Sequence, residues 1–366
     1  MQKLDRTFGV EIEFGLNRDI TESNFKSEFE MRTGEKIIMD THSYNTPVNS
    51  NKWTLAYDMS VRVRSHNGRE LKSPPIPLNQ IDRIKKVYDY LNEVGKVNRT
   101  CGHHVHVDVS DLSFKQQKKV LIAYLVNEDV IDMMHPKSRR FGQGVGTQYC
   151  GSGIGRRHIS IEQRNRSQDF LGRDRSGLDR MPTSSNGSTY DQLQEHYKSV
   201  VINACIKKIK KARNVRQLKT TGFADKYSNV CFKENFGTIE FRQHAGSLEY
   251  KKIVNWIVFL NQFVIGFGYG PSVAMKDETR ENGRDRLFFR KVSQLEKSVK
   301  NRVKTYGGFE IPNAEQAFTF LKKRISHFIR VLNGNSTYER AMRKVLEDRG
   351  VTFNLRGGNN DDQTRH

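Results

Sequence analysis

At 366 residues the chain is long enough for one large domain with appendages, or for two domains with good cores. It is 36% hydrophobic and 28% charged, which excludes a membrane-embedded or low-complexity protein. Its formal charge of +21 favours polyanionic partners: nucleic acid, an acidic protein or nucleotide phosphates. The bland alternative is that Lys and Arg simply cover helix faces. The four cysteines, Cys101, Cys150, Cys205 and Cys231, are far apart and form no CxxC pair. That argues against a zinc ribbon or a disulfide framework and fits a reducing compartment. The N-terminal residues MQKLDRTFG contain no apolar signal region, and the most apolar run, Ile253 to Gly270, is interrupted by Asn255, Asn261 and Gln262. A buried helix explains that run better than a membrane span, so a cytoplasmic protein is expected.

In chain order, Thr7 to Leu16 alternates: Phe8, Val10, Ile12 and Phe14 fall on one side of a strand, with Gly9, Glu11, Glu13 and Gly15 on the other. Two carboxylates two residues apart fit either a solvated face or half of a metal site. Residues 17–50 are polar and poorly periodic and read as a loop or a short amphipathic insertion. Trp53 to Arg64 reads as extended, with Val61 and Val63 inward and Arg62 and Arg64 outward, and 68–77 as a short strand stopped by prolines. A helical stripe of Ile81, Ile84, Val87, Leu91 and Val94 follows, closed by Gly95. Cys101 to Val109 alternates again, and Ser113 with Gln116 forms a capping box for a helix reaching about His135.

Residues 136–189 contain no confident long element. Their Gly-rich stretch, 142–155, fits neither GxGxxG nor a P-loop. A helix capped by Thr189 and Gln192 is expected to end in the basic run at 207–213, followed by strands at 226–232 and 237–244 and an apolar helix at about 249–265. Helices at roughly 285–302, 313–332 and 336–349 precede a tail expected to be disordered. Strands joined by long irregular loops, with helices behind, predict an α+β fold on a largely antiparallel sheet.

Three of these strands share one design. His104, His106 and Asp108 lie opposite Val105, Val107 and Val109. Thr238, Glu240, Arg242 and His244 lie opposite Ile239, Phe241 and Gln243. With Glu11 and Glu13, the polar faces carry carboxylates, imidazoles and a guanidinium where a solvated face would carry Thr, Lys, Ser and Gln. Hard oxygen donors with imidazole suit Mg²⁺ or Mn²⁺, and an arginine among them suits a transferring phosphoryl group. His103, on the other face, reads as a structural histidine.

Gly9-Val10-Glu11-Ile12-Glu13, Trp53 with Asp58-Met59-Ser60, Glu70-Leu71-Lys72-Ser73-Pro74, Gly102-His103-His104-Val105-His106 and Thr238 to Ser247 occur in that order. Together they resemble the amidoligase family, a branch of the glutamine synthetase and glutamate–cysteine ligase superfamily of carboxylate–amine ligases that is frequent in phage genomes. The resemblance covers about residues 6–265. It implies a glutamine synthetase-like antiparallel sheet cradling ATP and Mg²⁺ or Mn²⁺, and an enzyme that joins a carboxylate to an amine through an acyl phosphate. Residue by residue, it implies Glu11, Glu13, Glu70, His104 and Glu240 as metal ligands and Glu240 and Arg242 as the catalytic pair. Arg242, Arg139, Arg140 and His106 fall on the nucleotide side, and Asp58, Ser73 and Lys226 on the substrate side. Arg139 and Arg140 are separated from Tyr149-Cys150 by the Gly-rich insertion, and Lys226-Tyr227 stands where Arg-Tyr is expected.

The organisation that follows is a catalytic region over 1–270, a helical region over 271–350 and a tail over 351–366. The expected substrates are an amino acid, peptide or protein carboxylate and an amine, with no membrane partner. Two other readings stay open: a zinc hydrolase built on His104, His106 and Asp108, and a nucleic-acid-binding protein on an inactive ligase scaffold. The second would use the arginines between Arg156 and Arg180 and the 207–213 run.

Overall fold

A computed structural model describes residues 6–40, 51–132, 134–136, 139, 205–270, 292–304 and 314–332. The strands are β1 (Thr7–Asn17), β2 (Ile37–Asp40), β3 (Trp53–Tyr57), β4 (His66–Lys72), β5 (Ile76–Pro77), β6 (Gly95–Lys96), β7 (Gly102–Asp108), β8 (Val230–Lys233) and β9 (Thr238–Ala245). They build one sheet in the order β2-β3-β4-β1-β7-β9-β8, with β5 and β6 also pairing β1. Only β2 with β3 is parallel; every other pairing is antiparallel. The expected α+β class with a largely antiparallel sheet is therefore observed.

The alternation in β1 determines which face is covered. Phe8, Val10, Ile12 and Phe14 are buried, as are Leu55, Leu71, Val105, Val107, Ile239 and Phe241 from the neighbouring strands. Burying side chains of this size contributes roughly 1.5–3 kcal/mol each, which makes this face the anchor of the sheet. Helices supply the cover: α1 (Glu22–Thr33), α2 (Ile84–Val94), α3 (Phe114–Val126) and α6 (Tyr250–Tyr269). Phe25 and Phe29 of α1 pack with Phe14, Trp53 and Tyr90, and Tyr124 of α3 packs with Phe241 and Phe263. Shorter helices are α4 (Glu128–Asp132) and α5 (Val215–Thr220); α7 (Val292–Arg302) and α8 (Ala314–Leu332) lean on α6. No helix among the described residues is long and apolar enough to cross a membrane.

The structure refines the sequence reading in several places. Where a loop or a short amphipathic insertion is expected at 17–50, the described residues contain α1 and β2. α1 buries only Phe25, Phe29 and Thr33, a stripe one residue wide among charged neighbours, so its apolar period is faint. Its ends are nevertheless well made. The Thr21 hydroxyl accepts from the Asn24 N–H at 3.2 Å, and Gly34 closes the helix at φ 76°. The strand expected over 53–64 stops at Tyr57, because Asp58 starts a turn in which the Ser60 N–H and hydroxyl both donate to its Oδ1 at 2.7 Å. Val61 is buried by that turn, and Val63 is half-buried.

The helix expected over 79–94 begins as a tight turn at Leu78–Arg83 before α2, and the one expected to reach His135 breaks at Asn127 between α3 and α4. The capping box at Ser113 and Gln116 is present with both reciprocal bonds. Cys101, Cys205 and Cys231 are buried free thiols. The Gly-rich stretch, the arginines from Arg156 to Arg180, the cap at Thr189, the helix at 336–349 and the tail lie outside the described residues. Ser113→Ala should lower stability by about 1 kcal/mol in urea unfolding without changing the slope, since it removes one cap and exposes no core.

Candidate active site

The other face of the sheet is assembled by cross-strand register. Glu11 of β1 lies directly opposite Lys72 of β4 on one side and His104 of β7 on the other; Glu13 lies opposite Glu70, and Gly9 opposite His106. His106 is in turn opposite Glu240 of β9, and Glu240 is opposite Cys231 of β8. Directly opposed residues of an antiparallel ladder project to the same face. Strands distant in sequence therefore bring one carboxylate–imidazole cluster together. His104 Nδ1 is 3.0 Å from Glu11 Oε2 and 3.4 Å from Glu240 Oε1, and its Nε2 is 3.4 Å from Glu13 Oε1. His106 Nε2 is 3.2 Å from Glu11 Oε1, while its Nδ1 is 3.0 Å from the Thr238 hydroxyl.

A bulge redirects the end of β9. His103 pairs with His244 and Val105 with Phe241, so Arg242 and Gln243 together oppose His104 alone. Arg242 stays on the reaction face and pairs through Nη1 with Glu240 Oε1. Gln243 turns inward and accepts from the Tyr124 hydroxyl at 2.7 Å. The extra residue also reverses His244, which was expected beside Glu240 and Arg242. Its ring instead lies in the core, 6.0 Å from His103, 5.4 Å from His135 and 5.8 Å from Trp256. His103 is a structural histidine as expected: fully buried, stacked on Tyr88 and bonded to its hydroxyl.

Turns add the remaining groups. Asp58 is held over β4 because Gly68 leaves room for the Asp58 carbonyl, which would be 2.4 Å from any Cβ at that position. Gly102 has the same use at the start of β7. Its N–H donates to Glu13 Oε2 at 2.5 Å, and a Cβ there would crowd Glu13, His104 and Arg139, each within 3.2 Å. Arg139 is buried and donates to the Cys101 carbonyl. Two lysines that sequence reasoning did not assign complete the face. Lys72 Nζ is 2.9 Å from Glu70 Oε2, and Lys233 Nζ is 3.0 Å from Glu240 Oε2.

The electrostatics follow from burying like charges together. Burial pushes Glu11 up, but its contacts with His104 and His106 outweigh that and hold it well below the usual range. Burial also pushes Glu240 up, and the Arg242 guanidinium overcomes it, holding the carboxyl at about 2. Glu70 goes the other way: burial and the neighbouring Glu11 push it well above the usual range despite Lys72. One sheet face thus holds carboxylates with opposite proton affinities, an arrangement typical of functional sites.

Three sets of donor atoms are close enough to share an ion: Glu13, Asp58 and Glu70; Glu11, Glu70 and His104; and Glu11, His106 and Glu240. They form a row linked by Glu70 and Glu11. The donors are carboxylate oxygens with at most one imidazole per set, the chemistry that Mg²⁺ and Mn²⁺ select. Glu240 is fully buried, and its Oε2 meets the Lys233 ammonium at 3.0 Å. Asp108 belongs to none of these sets among the described residues; its carboxylate accepts from the Ser110 N–H at 2.9 Å at the end of β7.

A cleft of about 350 Å³ opens at the Gly9 end of the row. Glu11, His106 and Lys72 form its polar floor, and Pro75 and Phe236 give it apolar walls. Phe236 is half exposed and meets the His106 ring edge-on at 6.4 Å. Ser73 also lines the cleft, but its hydroxyl accepts from the Val10 N–H at 2.9 Å and ties β1 to the chain after β4. The structure therefore brings together Glu11, Glu13, Asp58, Glu70, His104, His106, Glu240 and Arg242, with Arg139 beside Gly102 at one end. Lys226 is exposed, its ammonium 4.9 Å over the Tyr227 ring, and lies in none of these sets; Arg140 lies outside the described residues. Lys72 stood inside a quoted motif, but lysine on a strand reads as solvated; Lys233 carried no signal.

A family model described as "Putative amidoligase enzyme" matches residues 4–264. No curated protein matches the chain.

His103 permits a test of how the back of this face is built. Burial, reinforced by His104, depresses its pKa to about 3, whereas an unfolded histidine titrates near ~6.5. The unfolded state therefore takes up this proton first as pH falls, so the contribution is intact above about pH 6.5 and is lost on acidification. His103→Gln should flatten the fall in unfolding free energy between pH 6 and pH 4 by up to about 1.4 kcal/mol per pH unit. An identical slope in the variant would show that His103 is not held neutral.

Proposed function

The chain belongs to the amidoligase family, and from that membership and the chemistry of the carboxylate-bearing sheet face we propose that it is an ATP-dependent carboxylate–amine ligase. The observation that carries this reading is the convergence of Glu11, Glu13, Glu70, Glu240, His104 and His106, with Arg242, beside an open cleft. In the proposed reaction a substrate carboxylate oxygen attacks the γ-phosphorus of ATP. The bond from that phosphorus to the β,γ-bridging oxygen breaks, releasing ADP and leaving an acyl phosphate. The amine nitrogen then attacks the acyl carbon, the C–O bond to phosphate breaks, and inorganic phosphate departs as the nitrogen gives up a proton.

Mg²⁺ or Mn²⁺ bound to Glu11, Glu13, Glu70, His104 and Glu240 would supply charge neutralisation at phosphate oxygens. The chain's own groups do the rest. Arg242, its charge secured by Glu240, Glu11 and Glu13, offers a fork that matches the transferring phosphoryl oxygens. His106, fixed between Glu11 and Thr238, is positioned to orient phosphate at the cleft. Asp58, whose Oδ1 accepts from Ser60 and whose carboxylate lies close to Glu13 and Glu70, is the candidate to hold the amine as ammonium. A zinc hydrolase using His104, His106 and Asp108 is disfavoured because Asp108 is turned into its own loop and the two histidines serve different donor sets.

A second feature bears on the size of the substrate. Helix 205–211 and α5 present Lys207, Lys208, Lys210, Lys211, Arg213, Arg216 and Lys219 with no acidic residue between Cys205 and Thr220. Lys118 of α3 joins them by donating to the Lys210 and Ala212 carbonyls. Lys219 acts electrostatically on Cys231, which is opposite Glu240. This arrangement favours a nucleic-acid strand as the anionic partner, with an acidic polypeptide as the competing outcome.

The purified protein should form ADP only when Mg²⁺, a carboxylate and an amine are all supplied from a mixed amino acid and peptide pool. Glu11→Gln or Glu240→Gln should each cut that rate by about 100-fold or more; a fully active Glu240→Gln would remove the basis of the assignment. Reversing Lys210, Lys211 and Arg213 to Glu should weaken single-stranded nucleic-acid binding and shrink its salt slope, roughly one unit per lost phosphate contact. If binding persists and an acidic peptide competes it away, the partner is a polypeptide.

A further inference from the structure

We infer that Lys72 and Lys233 are exchangeable counter-cations: they occupy the carboxylates while metal ions are absent, leave when the ions load, and then bind the nucleotide phosphates. The inference rests on the ligase reading and specifies how its metal ions and nucleotide are coupled. Lys72 sits on Glu70, which belongs to two of the three donor sets, and Lys233 sits on Glu240, which belongs to the third. A divalent ion binds a carboxylate oxygen at roughly 2.0–2.6 Å. An ammonium already 2.9–3.0 Å from the same oxygen repels an ion placed there, so each weakens the other's hold on the carboxylate.

Charge balance leads to the same result. Among the described residues the carboxylates Glu11, Glu13, Asp58, Glu70 and Glu240 are faced by Lys72, Arg139, Lys233 and Arg242. These groups come close to balancing without any ion, so divalent ions added to them would leave positive charge in excess. A largely buried site does not hold that excess without an anion. A triphosphate supplies it, and the lysines are placed to take it. They approach from opposite sides, Lys72 from β4 and Lys233 from β8, and both act electrostatically on Glu11 and on each other. A polyphosphate laid along Glu11 and His106 would therefore lie between two ammonium groups. Lys72 already lines the cleft, and the Lys233 side chain is 28% exposed on the last of the described strands.

The arginines are less suited to exchange. Arg139 is anchored on the Cys101 carbonyl, and Arg242 is a planar fork fitted to Glu240. A lysine ammonium is a point charge on a flexible stem and makes no such geometric demand. The coupling is reciprocal: the nucleotide, by drawing the lysines off, tightens metal binding, and the metal tightens nucleotide binding by the same factor.

The test measures two affinities by titration calorimetry in the full chain, for Lys72→Met and Lys233→Met, with Lys85→Met on the exposed side of α2 as the control. Mn²⁺ alone should bind each site variant about tenfold more tightly than wild type, because a competing cation is gone. A non-hydrolysable ATP analogue at saturating Mn²⁺ should bind each about tenfold more weakly, and Lys85→Met should change neither. A merely structural lysine would not move the two affinities in opposite directions. Mn²⁺ affinity that is unchanged or lower in both variants overturns the inference, as does Mn²⁺ binding to neither wild type nor variants. Should Lys72→Met fail to fold, Lys233→Met decides alone. If wild type binds Mn²⁺ but no nucleotide, the ligase reading and the phosphate role fall together, while the Mn²⁺ comparison still decides the metal exchange.

Discussion

The structure turns on the repulsion among five carboxylates gathered on one sheet face. Carboxylates this close and this poorly solvated raise one another's proton affinity, and the chain manages that in three ways. Imidazoles are wedged between them, as His104 is among Glu11, Glu13 and Glu240. Basic side chains are drawn in from both flanks, and Glu70 is left with a pKa well above the ordinary range. An arrangement this costly survives only on a rigid support. The support is the opposite face of the same strands, where Phe8, Val10, Ile12 and Phe14 and their neighbours are sealed under helices. Each strand is thus an anchor on its even positions and a ligand carrier on its odd ones, or the reverse, and antiparallel register lets carriers far apart in sequence meet.

The row of donors is asymmetric along β1. At the Glu13 end it is closed by the Asp58 turn, by the Gly102 N–H and by buried Arg139. At the Gly9 end a residue without a side chain leaves the floor low, and the cleft with apolar walls begins. Charged material is therefore confined at one end, and bulk is admitted at the other. On the ligase reading, the phosphates belong over the row, and an apolar body belongs in the cleft between Pro75 and Phe236. The direction in which reactants lie is thereby set by a glycine as much as by the carboxylates.

Much of this was legible in the sequence because a period of two is a strong signal. The alternation of β1, β7 and β9 was visible, and with it Glu11, Glu13, His104, His106, Glu240 and Arg242. What alternation does not carry is who sits beside whom. The bulge in β9 inserts one residue and turns His244 into the core, and nothing in Gln243-His244 marks it, since both residues suit either face. Asp58 comes under the influence of Glu13 and Glu70 through a turn, so its neighbours depend on where a loop folds back. α1 was missed because three buried residues on a charged helix leave almost no period. Lys72 and Lys233 were missed for a different reason: lysine is so often solvated that only the register with Glu11 and Glu240 shows what they face.

The apolar run in α6 shows how the rest of the chain relates to this face. A helix buried on every side must be covered from at least two directions. One cover is the back of the sheet, where Trp256 meets His135 and His244, and Phe263 meets Tyr124. The other comes from α7 and α8, with Phe318 against Phe259, and Gly266 leaving space for the Val299 carbonyl and the Arg302 side chain. These later helices, beyond the span matched by the family, therefore bear on the side of the sheet away from the carboxylates. Among the described residues they reach the site through α6 and the buried His103–His244–His135 packing, which joins β7 and β9 next to His104.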